Sequence, residues 1–167
     1  MACGQGPGAC AGTAPRLHSG GVGELSRYLF LAGAVPYIVL GVAHAIATPR
    51  DPQQRRGLSP RDPQLSQSMT RTAVLLTSRT DMWRAWVGFN LSHSLGVILL
   101  GVVVLVVGRS EASFAREAGV FVPLATCAAA AYLLLGLKYW FRTPIIGCAL
   151  SLGLFVASWL LRTTSGS

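Results

Sequence analysis

The sequence predicts an all-α fold, an antiparallel four-helix transmembrane bundle, and three observations support this prediction. Of the 167 residues, 51% are hydrophobic and only 12% are charged, which is about half the charged fraction of soluble domains. The mean hydropathy is +0.50. Four apolar runs, at about residues 27–48, 82–107, 117–137 and 145–161, are each long enough for a helix that crosses a bilayer.

The two ends of the chain lie outside these spans. Residues 1–22 are rich in glycine and alanine and show no periodicity, so we interpret them as a disordered tail. Residues 162–167 form a short polar tail. The first span allows an alternative, because Arg27, the apolar run and the A-H-A at 43–45 resemble a cleavable signal sequence. The long preceding tail favours a retained span over a cleaved one.

The connection over residues 49–80 is the only long one between spans, and its composition argues against a separate domain. The motif P-R-D-P-Q occurs at 49–53 and again at 60–64. Asp-Pro pairs of this kind favour turns and extended chain. Apolar positions then recur at helical spacing from Leu65 to Leu76. This spacing predicts either a short helix in the lipid headgroup region or an ordinary solvated loop.

The distribution of Lys and Arg predicts the orientation in the membrane. Nine of these residues lie in 49–84 and 138–144, and five lie in the tails, at the first residue of the first span and in 108–116. Because basic residues concentrate in cytoplasmic loops, we predict that the two connections are cytoplasmic and both termini are outside.

The net charge of +8 does not predict a nucleic-acid partner, since no basic face with interleaved aromatic residues is present. The predicted partners are the lipid bilayer and a lipidic small molecule. The sequence leaves open whether the protein forms a homo-oligomer.

The second span carries the best candidate site. On a helix, five of its residues share one face: Trp83, Trp86, Asn90, His93 and Val97. An asparagine and a histidine inside a bilayer are costly unless they face protein, water or a ligand. This face is therefore predicted to be buried inside the bundle.

A stripe of small residues follows a neighbouring face of the same span. It comprises Ala85, Gly88, Ser92 and Gly96. Small residues at this spacing let a second helix approach closely. We therefore predict that the second span packs through Gly88, Ser92 and Gly96.

The first span supplies a further polar residue, His44, near its cytoplasmic end. Antiparallel packing would bring it into the same half of the membrane as Asn90 and His93. We predict one pocket in which these three residues are the catalytic or binding candidates. At its mouth, Asp81 is predicted to cap the second helix and to pair with Arg84. The predicted ligand-binding residues are Trp83, Trp86, Arg84 and Tyr37.

Three functions fit these residues. A neutral imidazole exchanges protons near neutral pH, and an asparagine amide polarises a carbonyl. These groups suit an isomerase, hydrolase or transferase that acts on a lipidic substrate, with His93 as acid/base. Alternatively, the pocket binds a hydrophobic small molecule, or the polar side chains only bond across helices and hold the bundle together. The sequence leaves open whether the protein is an enzyme.

No cofactor or metal is predicted. His44 and His93 on two spans would suit the ligands of a single haem, but their different depths argue against it. A metal site lacks a third ligand, and the four cysteines form no C-x-x-C pair. All six carboxylates lie at or outside the span ends, which argues against a proton-coupled exporter and a paired-carboxylate hydrolase.

Three motifs carry a family resemblance. W-R-A-W-V-G-F-N-L-S-H-S-L-G begins at Trp83, H-x5-R-D-P precedes it from His44, and K-Y-W-F-R-T-P-I-I-G follows from Lys138. In these motifs, and over about residues 27–161, the chain resembles a family of small bacterial four-span membrane proteins to which no biochemical activity is assigned. The resemblance implies residence in the bacterial inner membrane and a four-helix fold. It transfers no catalytic residue.

Overall fold

The computed structural model describes residues 19–165, which form five helices and one two-stranded antiparallel sheet. In chain order the elements are α1 (Ser19–Ala47), α2 (Pro63–Arg71), β1 (Ala73–Val74), β2 (Thr77–Asp81), α3 (Met82–Gly108), α4 (Glu111–Tyr139) and α5 (Arg142–Ser165). Of the predicted tail over 1–22, residues 1–18 lie outside the described residues, and residues 19–22 belong to α1. Of the predicted tail over 162–167, residues 162–165 belong to α5 and the last two lie outside the described residues.

Four of these helices, α1, α3, α4 and α5, are long and apolar enough to cross a membrane. Their membrane-compatible segments contain 27, 27, 29 and 23 residues, against the roughly 20 that a bilayer requires. Only residues 109–110 separate α3 from α4, and only 140–141 separate α4 from α5. Links this short require neighbouring helices to run antiparallel. The prediction of an all-α four-helix bundle is confirmed, and its length and composition fit a multi-pass membrane protein.

Three of the four long helices, α1, α4 and α5, begin earlier than the predicted apolar runs. α4 begins at Glu111 rather than at 117, because Ser110 caps it: the Ser110 hydroxyl accepts a hydrogen bond from the Ser113 N–H at 3.2 Å. α5 likewise begins at Arg142 rather than at 145. An apolar run marks the part of a helix that suits the hydrocarbon layer, whereas capping decides where the helix starts.

α1 lies at the centre of the packing, because it contacts both α3 and α5 extensively. Its Phe30 is fully buried, with ring centroids 5.5 Å from Phe114 in α4 and 5.6 Å from Phe155 in α5. Two buried serines also join α1 to α5. The Ser26 hydroxyl donates a hydrogen bond to the backbone carbonyl oxygen of Ser158 at 2.9 Å. The Ser158 hydroxyl donates in return to the backbone carbonyl oxygen of Ser26, also at 2.9 Å. Such bonds give buried hydroxyls the partners that lipid does not offer.

The stripe of small residues on α3 faces outward, so the prediction that this helix packs within the chain through Gly88, Ser92 and Gly96 is wrong. All three are exposed, and a Cβ added at either glycine would meet no atom within 4 Å. The close approach lies on the neighbouring face, where a Cβ at Gly101 would lie 2.5 Å from Cγ1 of Ile38 in α1. The polar face is buried instead because amide and imidazole groups lose more in lipid than glycine does.

The connection between α1 and α3 contains a helix and a hairpin rather than one longer helix. α2 begins with Asp62 as its N-cap, whose carboxylate accepts a hydrogen bond at 2.9 Å from the backbone N–H two residues on. α2 ends at Arg71. The helical spacing of the sequence continues up to Leu76, but residues 73–76 belong to the β1–β2 hairpin instead. Leu75 and Leu76 form the turn of this hairpin and are fully exposed.

The hairpin leads directly into α3. Asp81 is both the last residue of β2 and the N-cap of α3, and its carboxylate accepts a hydrogen bond from the Arg84 N–H at 2.8 Å. The same carboxylate pairs with the Arg84 guanidinium at 3.5 Å. The Met82 N–H donates to the Thr72 carbonyl oxygen at 2.9 Å, which ties the start of α3 to the hairpin. The predicted cap and ion pair are confirmed.

Candidate functional site

A cavity of about 410 Å³ opens at the end of the bundle where α1 ends and α3 begins. It is partly open rather than sealed. All four long helices contribute to its lining, which comprises Tyr37, Leu40, Gly41, Ala43, His44, Ala47, Leu58, Trp86, Asn90, His93, Val97, Tyr132, Tyr139, Trp140, Phe141, Thr143, Pro144 and Cys148. Small-molecule sites have volumes of roughly 300–1,000 Å³, so this cavity has the size of such a site.

His44 of α1 and Asn90 of α3 form a hydrogen bond across the cavity wall. The His44 Nε2 and Asn90 Oδ1 atoms are 2.9 Å apart. The Asn90 Nδ2 group donates to the Trp86 carbonyl oxygen at 2.8 Å, which directs Oδ1 towards the histidine. Because an amide oxygen only accepts hydrogen bonds, His44 Nε2 must be the donor. In a neutral imidazole, Nδ1 of His44 is then the acceptor nitrogen.

His93 is held by ring contacts on several sides. Its ring centroid lies 5.3 Å from that of His44, 5.7 Å from that of Tyr132 and 5.2 Å from that of Trp140, each in an edge-on arrangement. The stacked ring of Phe89 lies on the outer surface. Within residues 19–165 the imidazole of His93 makes ring contacts but no hydrogen bond. Its nitrogens are therefore available to a molecule in the cavity.

Tyr37 is the most deeply buried aromatic residue of the cavity lining. Only 1% of its surface is exposed, and its ring packs against Tyr132 and Phe155 at centroid distances of 5.8 and 6.3 Å. Its hydroxyl has no hydrogen-bond partner among the described residues. A buried hydroxyl without a partner costs about 1–3 kcal/mol. The hydroxyl oxygen is itself buried, so a molecule in the cavity does not reach it as the helices are packed here.

The seven residues predicted for the site divide into two groups. The cavity brings together five of them, His44, Asn90, His93, Trp86 and Tyr37. The other two, Trp83 and Arg84, do not contribute to its lining.

Trp83 and Arg84 serve the start of α3 instead. Trp83 is buried, and its indole N–H donates at 3.4 Å to the carbonyl oxygen of Arg50 in the connection. The Arg84 side chain is 76% exposed and pairs with Asp81. The ion pair therefore lies on the surface beside the helix start rather than across the mouth of the cavity.

Two aromatic residues that contact His93 were missed by the sequence reasoning, Tyr132 of α4 and Trp140 of the α4–α5 turn. The K-Y-W-F-R-T-P segment from Lys138 indicates an aromatic belt at a membrane surface. In an antiparallel bundle, however, this turn must lie at the same end as His44. The antiparallel order of the helices is therefore sufficient to place Trp140 at this end of the bundle.

Among the described residues, no Asp, Glu, Lys or Arg contributes to the lining. Among residues 19–165, no group of three or more His, Cys, Asp or Glu side chains is placed to hold a metal ion. The cavity therefore offers hydrogen bonds, proton exchange at imidazoles and aromatic surface. It offers no charge for a charged ligand.

Comparison with known proteins gives no further guide to the activity of this cavity. No protein-family model, curated protein or solved structure matches the chain. The resemblance to the bacterial four-span family stays a prediction from the three sequence motifs. What the protein does must be argued from the geometry of the cavity.

Proposed function

We propose that this chain is a multi-pass protein of the bacterial inner membrane that binds a hydrophobic small molecule between its four helices. The observation that carries this proposal is the partly open cavity of about 410 Å³, in which His44, Asn90 and His93 meet among mainly apolar and aromatic side chains. An apolar pocket with a few convergent polar groups is the usual form of a small-molecule site.

The state of the polar groups supports binding over a purely structural role. If these groups only held the helices together, the protein itself would satisfy all of them. The facing atoms of His44 and Asn90 do satisfy one another. The His93 imidazole contributes to the lining of the open cavity and makes only ring contacts within residues 19–165. This unsatisfied group favours an occupant that is not part of the chain.

The position of the cavity mouth supports a ligand that comes from the bilayer. Tyr139 and Phe141 contribute to the lining, yet they are 65% and 63% exposed on the outer surface. Aromatic residues of this kind lie at the level of the lipid headgroups. The excess of basic residues in 49–84 and 138–144 supports a cytoplasmic location for this end of the bundle, with both termini outside.

The proposal is tested by measuring which small molecules remain bound to the protein after purification. Ala43 contributes to the lining and is exposed, so Ala43→Trp should fill the mouth without disturbing the packed core. The neighbouring Val42 is 44% exposed and does not contribute to the lining, which makes Val42→Trp the matched control. Each protein is purified in mild detergent and extracted with organic solvent, and the extract is analysed by mass spectrometry.

We expect a neutral hydrophobic compound in near-equimolar amount from the wild-type protein and from Val42→Trp, and its loss from Ala43→Trp. Equal yields of every extracted compound from all three proteins would contradict the proposal, since unspecific lipid adheres equally to all of them.

One observation supports a second candidate function, a membrane-embedded enzyme acting on a lipidic substrate. The His93 imidazole lies beside His44 and makes no hydrogen bond within residues 19–165, so its nitrogens are available to exchange a proton with a substrate in the cavity. In this alternative Asn90 orients His44 rather than polarising a carbonyl, because its amide oxygen is already engaged. In cells that carry His93→Ala at a normal protein level, an enzyme predicts accumulation of an unconverted lipid. A binding protein predicts an unchanged lipid composition.

A further inference from the structure

We propose that a second, polar cleft, in the connection between α1 and α3, binds the phosphate group of a ligand through Arg55, Ser66 and Arg71. This inference goes beyond the binding function proposed for the apolar cavity and does not depend on it. The cleft has a volume of about 460 Å³, with the loop over residues 52–60 as one wall and α2 as the other. Its lining comprises Pro52, Gln53, Gln54, Arg55, Ser59, Pro60, Pro63, Ser66, Gln67, Thr70 and Arg71.

Hydrogen bonds within the connection hold the loop wall in place. The Leu58 N–H donates to the carbonyl oxygen of Ala47 at 3.1 Å, which fixes the loop to the end of α1. The Ser59 hydroxyl donates to the carbonyl oxygen of Gln54 at 2.7 Å and accepts a hydrogen bond from the Arg56 N–H at 3.0 Å. The chain itself therefore builds the wall, and a ligand does not have to order it on binding.

The charge of the lining favours an anion. Arg55 and Arg71 contribute from opposite walls, and no Asp or Glu of the described chain contributes. The carboxylates nearest in sequence are those of Asp51 and Asp62. Each already accepts a hydrogen bond from the backbone N–H two residues on, at 2.8 and 2.9 Å. Residues 50–71 contain five arginines against these two aspartates, so the surroundings of the cleft are also positive.

Ser66 places an unused hydrogen-bond donor inside the cleft. The residue is only 3% exposed and contributes to the lining, and its hydroxyl has no hydrogen-bond partner within residues 19–165. The hydroxyl is not sealed, because the fully buried side-chain atoms without a partner in this part of the chain are Nε of Arg27 and the hydroxyl oxygen of Tyr37. The small open surface of Ser66 therefore faces the cleft, where a ligand oxygen can accept its hydrogen.

The number and type of these donors favour a phosphate over a carboxylate. The Arg71 guanidinium makes no hydrogen bond or ion pair within residues 19–165. Arg55 donates through Nη2 to the Arg61 carbonyl oxygen at 2.7 Å, which orients the guanidinium and leaves its other N–H groups free. Arginine forks match phosphate oxygens closely. A phosphate monoester has three terminal oxygens, enough for both arginines and for Ser66, whereas a carboxylate has two in one plane.

The position of the cleft allows two sources of such a group. Leu58 contributes to the apolar cavity and the next residue, Ser59, contributes to the cleft, so the two lie side by side at the same end of the bundle. The phosphate of a lipid headgroup and that of a soluble phosphate ester present the same oxygens to the cleft. The experiment therefore contains one arm for each source.

The full chain is purified in mild detergent. Native mass spectrometry measures the binding of dioleoyl phosphatidic acid, dioleoyl phosphatidylcholine and oleate, and isothermal titration calorimetry measures the binding of glycerol 3-phosphate. Arg71→Gln is compared with Arg79→Gln, which makes the same charge change at an exposed residue of β2 outside the lining. Ser66→Ala is compared with Ser68→Ala, which is exposed and also outside the lining. Circular dichroism confirms that each variant is folded.

We expect the wild-type protein to bind phosphatidic acid more tightly than phosphatidylcholine or oleate. Arg71→Gln should weaken this binding about tenfold, and Ser66→Ala about threefold, the effects of one charge-assisted and one neutral hydrogen bond. Arg79→Gln and Ser68→Ala should each change it by less than about twofold. Binding of glycerol 3-phosphate that is lost in Arg71→Gln would identify a soluble ester as sufficient, and binding of phosphatidic acid alone would identify the lipid headgroup.

Three results would overturn the inference: binding of neither phosphate compound, equal affinity for oleate and phosphatidic acid, or equal losses in Arg71→Gln and Arg79→Gln. The last result would mean that net charge alone attracts the anion. None of these results bears on the apolar cavity. Because both arginines are exposed, their comparison holds even if Ser66→Ala does not fold.

Discussion

Replacing Gly101 by alanine should destabilise the bundle, whereas the same replacement at Gly96 should not. Both glycines lie on α3, so helix propensity favours alanine by about 1 kcal/mol at each position and cancels in the comparison. An alanine Cβ at 101 would lie 2.5 Å from Cγ1 of Ile38 and 3.3 Å from the carbonyl oxygen of Ala34, both in α1. The β-branched isoleucine has little rotamer freedom, so α1 and α3 must separate. Overpacking of this kind costs about 1–3 kcal/mol.

At Gly96 no atom lies within 4 Å of an added Cβ, so only the gain in propensity remains. We therefore expect Gly101→Ala to be less stable than Gly96→Ala by about 1–3 kcal/mol. The measurement is unfolding in mixed micelles with an increasing fraction of dodecyl sulfate, followed by circular dichroism. Gly88→Ala is a second control, because its site is equally open. Equal stability of the 101 and 96 variants would refute the assignment of the buried face of α3.

Three further predictions concern other parts of the chain. In a variant without native cysteines, Arg56→Cys should react with an impermeant maleimide only after the cells are opened, and Thr163→Cys should react in intact cells; equal reactivity would contradict the proposed orientation. Ser26→Ala and Ser158→Ala should each destabilise the bundle by about 1 kcal/mol, with coupling in a double-mutant cycle; strictly additive effects would mean that the pair contributes nothing. Leu75→Ser should change the free energy of unfolding in detergent by less than about 0.5 kcal/mol, because this side chain is fully exposed. A larger loss would show that the hairpin turn packs against the folded chain.

The sequence by itself determined that there are four long apolar helices, because burying about 20 apolar residues in hydrocarbon depends on composition alone. Local chemistry also determined the start of α3, where the Asp81 side chain caps the helix whatever packs against it. Within α3, the position of Asn90 and His93 on one face was sufficient to predict that this face is buried. Lipid offers no hydrogen-bond partner to an amide or an imidazole, so both side chains are more stable inside the bundle.

Only the tertiary structure decided which small residues bring helices together. Gly96 and Gly101 are alike in sequence context, and their difference depends on the rotation of α3 against α1, which many side chains fix jointly. The residues of the site also divide into those that the sequence predicted and those that only the tertiary structure brings to it. The sequence placed His44 and Asn90 in one half of the membrane, but Tyr132 and Trp140 reach His93 from α4 and its turn, far away along the chain. Whether the Tyr37 hydroxyl has a partner depends on every atom around it, so only the packed bundle could show that it has none among residues 19–165.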